Sequence, residues 1–107
     1  MNEAKIKTDI ETTAPIFEIK ENLEPQARNY LWGLDLTQKE AYEIITKKDE
    51  DYFDFVFKRM FENEYHGVII KNIGYENMYK FKKYLPKLNH EAKEKWKELI
   101  VMCEELK

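Results

Sequence analysis

His66, His90, Cys103 and a run of carboxylates are the side chains here whose chemistry could reach beyond packing. The two histidines stand 24 residues apart, and neither belongs to an HxxxH or HExxH pattern. A zinc site needs four good ligands, and one cysteine with two histidines supplies three. The chain has no serine, which removes every serine nucleophile and its triad. Cys103 falls on an apolar helical seam, where a thiol acts as a small hydrophobe. Gly33, Gly67 and Gly74 are isolated and cannot form a phosphate-cradling loop. Asp49, Glu50, Asp51 and Asp54 could approach magnesium, but they lack EF-hand spacing and suit a solvated helix start, favoured by the helix dipole. The residues therefore predict no catalytic centre, no metal and no cofactor. The expectation is a protein that is not an enzyme.

Charge layout then carries the functional reading. Residues 1–64 hold nine Lys/Arg against fifteen Asp/Glu, whereas residues 65–107 hold nine against six. The early half is acidic and the late half basic. Glu40, Glu43, Asp49, Glu50, Asp51 and Asp54 are expected to form one negative face around a helix junction, suited to a basic groove on a larger partner protein. Phe55 beside Arg59 adds an aromatic and a guanidinium, residue types that dominate interface energy. This pattern predicts a small regulatory interaction protein, comparable with inhibitors encoded by phages or mobile elements. The alternative is a nucleic-acid-binding module built on Lys71, Tyr79, Lys80, Lys82, Lys83, Lys87, Lys93 and Lys97, through phosphate neutralisation and base stacking. A pI of about 5.5 weighs against that alternative.

Helices must position these residues. Three glycines and three prolines in 107 residues leave little material for a turn-rich β fold. The expected fold is mainly α, about five helices, with 1–14 a polar tail or edge segment and 15–107 a single helical domain. On a helical wheel Tyr52, Phe53, Val56, Phe57, Met60 and Phe61 fill one arc, and Phe55 falls among polar residues. Thr37 with Glu40 reads as a capping box opening the preceding helix. Pro25 reads as the first turn of a helix over 22–34 that carries Tyr30 and Leu31 inward, with Trp32 at its flank and Gly33 at its end. Residues 74–85 read as a helix stopped by Pro86. Asn89 starts a last helix whose seam is Ala92, Trp96, Leu99, Cys103 and Leu106. Val68, Ile69 and Ile70 are β-branched, so 67–72 is predicted to be a short strand paired with 15–20.

No apolar run reaches the roughly 18 residues of a membrane span. Residues 1–15 lack the apolar core of a secretory signal. A single cysteine permits no internal disulfide, as in a reducing compartment. The expected location is the cytoplasm.

Overall fold

The computed structural model describes residues 14–47 and 51–106. They form four α-helices and one 3₁₀ segment: α1 (Gln38–Thr46), α2 (Phe53–Asn63), α3 (His66–Ile73), the 3₁₀ segment (Tyr75–Lys87) and α4 (His90–Glu105). The mainly helical class agrees with the sequence reading.

The helix ends follow local chemistry. Thr37 Oγ1 accepts from the Glu40 amide at 3.1 Å, and the Glu40 carboxylate accepts from the Thr37 amide at 2.8 Å. These two bonds close the capping box of α1. Asn89 Oδ1 accepts from the Ala92 amide at 2.8 Å and starts α4. Gly74 separates α3 from the 3₁₀ segment at φ +97°, a left-handed conformation that side chains rarely adopt.

Helix α2 is the centre of the core. Phe53, Val56, Phe57, Met60 and Phe61 are buried on it, as their helical arc requires. Tyr52, the sixth member of that arc, is instead the exposed residue at the helix start. The aromatic rings continue through three elements. Phe57 lies 4.4 Å from Phe61 between ring centroids, Phe61 lies 4.6 Å from Trp96 of α4, and Phe53 lies 4.9 Å from Tyr84 of the 3₁₀ segment. Such pairs add about 0.5–1.5 kcal/mol each beyond area burial. Trp96 is fully buried, and its indole N–H donates to the Phe61 carbonyl at 2.8 Å.

Two predicted elements differ. No strand occurs among the described residues, and 67–72, expected to pair with 15–20, lies inside helix α3. Val68, Ile69, Asn72 and Ile73 are its buried residues, a helical spacing that tertiary packing imposes over β-branched propensity. The expected helix over 22–34 is instead irregular backbone. Among the described residues the number of helices agrees with expectation because α3 replaces that one. The last seam also shifts: Ala92, Trp96, Ile100 and Cys103 are buried, while Leu99 is half-buried and Leu106 exposed. Pro86 does not end its segment, which runs on to Lys87. The tail or edge reading of 1–14 lies, except for Ala14, outside the described residues.

The core also holds two phenols. Tyr30 and Tyr42 are fully buried, and burial is the main force raising both above the ordinary tyrosine range. For Tyr42 the pKa is pushed up from 10.0 to about 12. Its folded value lies above its unfolded value, so the neutral phenol stabilises the fold fully below pH 10.0, and that contribution disappears as pH rises through about 12. The expected loss from Tyr42 is on the order of 2 kcal/mol. Denaturant titrations across this alkaline window should show it, with a shallower fall in Tyr42→Phe. An unchanged midpoint across the window contradicts the assignment.

Candidate functional site

The surface that could do most on this chain starts from a buried carboxylate. Glu64 occupies the two-residue corner between α2 and α3 and is only 2% exposed. Its carboxylate accepts from the backbone amides of Arg28 at 2.9 Å, Ala27 at 3.1 Å and Tyr65 at 2.8 Å. Asn72, equally buried on α3, makes a two-way pair with the Glu24 backbone. Its Oδ1 accepts from the Glu24 amide at 2.6 Å, and its Nδ2 donates to the Glu24 carbonyl at 3.1 Å. The same Nδ2 lies 3.2 Å from the Tyr42 hydroxyl, which accepts from it. These side chains meet the backbone groups that a helix over 22–34 would arrange for itself. Asn29 Oδ1 takes the Leu31 amide at 3.2 Å, a local turn that competes with helix. Gly33, at φ +72°, completes the turn that returns the chain toward α1.

That irregular segment carries Trp32 to the surface of α2. The Arg59 guanidinium lies 3.9 Å from the Trp32 ring centroid and 5.0 Å from that of Phe55. Arg59 Nη1 also donates to the Trp32 carbonyl at 2.6 Å. Trp32 is 47% exposed and Phe55 45%. The cation between two π faces is worth about 0.5–1 kcal/mol at such an exposed site, and it holds all three side chains in place. On the helical wheel Phe55 falls among polar residues beside Arg59, and in the structure it is 45% exposed with the Arg59 guanidinium over its ring. The wheel misses Trp32 as the third member. A Trp-Gly pair at the end of an apolar run is the one local sign of a turn there.

The expected acidic residues are placed as follows. Glu40 sits on α1, its carboxylate turned back to the Thr37 amide, and that bond holds its pKa below the usual carboxylate value. Glu43 is half-buried on α1, and Asp51 is exposed ahead of α2. Asp54 lies in the first turn of α2 and pairs with Lys87 at 3.1 Å. Asp49 and Glu50 fall outside the described residues.

The alternative basic set divides. Tyr79, Lys80, Lys82 and Lys83 line a cleft of about 460 Å³ together with Ala14, Pro15, Ile16 and Tyr84. Lys80 reaches across it to the Ile16 carbonyl at 3.1 Å. Lys82, Lys93 and Lys97 line a second cleft. Lys71 lies 3.8 Å from Glu24, and Lys87 belongs to the Asp54 pair.

The remaining reactive groups are scattered. His66 begins α3 beside the Tyr65 ring. Burial first, then the positive charges of Lys95 and Arg28, hold its pKa below the ordinary histidine value. Cys103 is buried in α4, and burial pushes its thiol up. Among the described residues no group of three or more His, Cys, Asp or Glu is arranged to hold a metal ion. No described helix is long and apolar enough to cross a membrane.

Comparison with known proteins returns no match among family models, curated proteins or solved structures.

The geometry makes Glu64 the support of the Trp32 face. Glu64→Ala should leave the Ala27 and Arg28 amides without their acceptor and cost about 1–3 kcal/mol. Glu64→Gln, which keeps an acceptor oxygen, should cost less. Denaturant titration reads the stability, and hydrogen exchange at those two amides reads the local loss. Equal stability and equal exchange in Glu64→Ala would remove this role.

Proposed function

We propose that this chain is a small non-catalytic interaction protein that docks its Trp32–Arg59–Phe55 face on a larger protein partner. It would act by occupying that partner's surface, in the manner of regulators and of inhibitors carried by phages or mobile elements. The observation that carries this reading is the exposed stack itself. Two large aromatic rings close on one guanidinium outside the core, with the guanidinium further tied to a backbone carbonyl. Trp, Tyr and Arg are the residues most often found to dominate binding energy. Side chains already held in one arrangement lose less entropy on docking.

The carboxylates give the partner's chemistry. Asp51 is exposed immediately before α2, and Asp54 is in its first turn, one residue from Phe55. Glu40 and Glu43 lie on α1, which packs against α2. A basic groove on the partner would be steered toward these groups and set in register by them. Asp54 already has Lys87 at 3.1 Å, a solvent-exposed pair that a partner's cation can replace at little cost.

The test is affinity purification from the native host followed by titration of the purified partner. Phe55→Ala should weaken binding by about tenfold or more, as loss of an interface anchor does. Asp51→Lys with Asp54→Lys should slow association and reduce its salt dependence. Undiminished binding by a folded Phe55→Ala variant sinks the proposal.

A second reading rests on the cleft that gathers Tyr79, Lys80, Lys82 and Lys83. Lysines beside tyrosine rings suit a single-stranded nucleic acid, which offers phosphates and stacking bases together. Oligonucleotide titrations at several salt concentrations decide it. Affinity should fall as salt rises and fall again in Tyr79→Ala. No binding at low salt removes this reading.

A further inference from the structure

The 3₁₀ segment and α4 form a helical hairpin, joined by Leu88 and Asn89, and a second cleft of about 510 Å³ lies along it. The proposed docking through Trp32, Arg59 and Phe55 makes no use of this cleft. Leu85, Pro86 and Val101 line it together with Lys82, Lys93 and Lys97. Lys93, Lys97 and Val101 recur at every fourth residue of α4 and so form one row on its surface. Lys82, Leu85 and Pro86 supply the opposite wall. Val101 is 50% exposed, an apolar side chain on the solvent side of a helix whose core stripe is Ala92, Trp96, Ile100 and Cys103.

The lysines show what they accept. Lys82 holds Glu104 at 2.9 Å and Lys97 holds Glu94 at 3.2 Å, both with well-exposed side chains. Such pairs are screened by water and contribute little, so an incoming carboxylate can replace them. Lys93 has no carboxylate partner among the described residues. The lining contains aliphatic and lysine side chains and no aromatic ring. Nucleic-acid bases therefore have nothing to stack on here, unlike in the cleft beside Tyr79.

We infer that this cleft is a docking site for an acidic amphipathic segment of a partner protein. An aliphatic side chain of the segment seats against Pro86 and Val101, over the buried Leu85. Its flanking carboxylates take Lys82, Lys93 and Lys97. The mode is that of an apolar anchor in a groove, with charge complementarity at the rim selecting the ligand.

The test uses methyl NMR of the full chain. The probe is a synthetic helical peptide of glutamates with leucine at every third and fourth position. Its counterpart carries lysine for glutamate. A thymidine oligonucleotide and phosphatidylglycerol vesicles complete the set. The glutamate peptide should shift the Val101 and Leu85 methyls saturably, and the lysine peptide should not. Lys93→Glu and Val101→Asp, both at positions outside the core, should each weaken the Kd by about tenfold while circular dichroism stays unchanged. Phe55→Ala should leave the titration unchanged, which separates this site from the docking face. The inference is overturned if the methyls do not shift, if Lys93→Glu binds as well as the parent, or if oligonucleotide or vesicles shift these methyls and the peptide does not.

Discussion

A carboxylate taken out of water must be met by donors, and in this molecule two of the three donors are backbone amides from a stretch of chain nearly forty residues earlier. Glu64 thus ties an irregular segment to the corner between α2 and α3. Asn72 ties the same segment a few residues earlier, and through Tyr42 it reaches α1. Hydrogen bonds to a charged group contribute roughly 1.5–3 kcal/mol each, more than a neutral pair, because the alternative is a buried charge with no partner. Residues 22–34 have neither a helix nor a strand ladder, and their own bonds are two short turns, at Asn29–Leu31 and Leu31–Leu34. Tyr30 and Leu31 are carried into the core by this arrangement, and Trp32 is carried onto the outside of α2.

This dependence explains what local pattern could reveal and what it could not. The arc from Phe53 to Phe61 is legible because one helix sets its own spacing. The caps at Thr37 and Asn89 are legible because each spans only four consecutive residues. Phe55 is legible as an exception because every other large apolar residue near it already has a place in the arc. The 22–34 segment carries a helical pattern yet is irregular, because its polar groups are met by Glu64 and Asn72, which look in the sequence like any other polar residues. The place of Trp32 is hidden in the sequence for the same reason: it follows from that long-range pairing. At 67–72, intrinsic preference for strand yields to a helix that can bury Val68, Ile69 and Ile73 on one side. The expected carboxylate face rests on chain position alone. Thr37 as the partner of Glu40 follows from the capping-box spacing, whereas Lys87 as the partner of Asp54, 33 residues away, becomes visible only in three dimensions.

The charge halves also look different once folded. Lys87 of the basic half bonds to Asp54 of the acidic half, and the Lys87 carbonyl accepts from Lys58 at 3.1 Å. Glu62 accepts from the Asn89 amide at 2.8 Å. The two halves are thus joined along the seam where α2 meets the end of the 3₁₀ segment and the start of α4. Charges at this seam serve cohesion, whereas Asp51 on one side and Lys93 on another remain available to solvent.

The pitch of the 3₁₀ segment has a consequence for length. Thirteen residues at about 2.0 Å rise reach about 26 Å, where an α-helix of the same number would reach about 20 Å. The sixteen residues of α4, at about 1.5 Å each, reach about 24 Å. Stretching the shorter partner therefore makes the two arms of the hairpin nearly equal. Contacts run from the turn at Leu88 to the Lys82–Glu104 pair beyond Val101. Glu104, one residue from the end of α4, accordingly meets Lys82 midway along the segment.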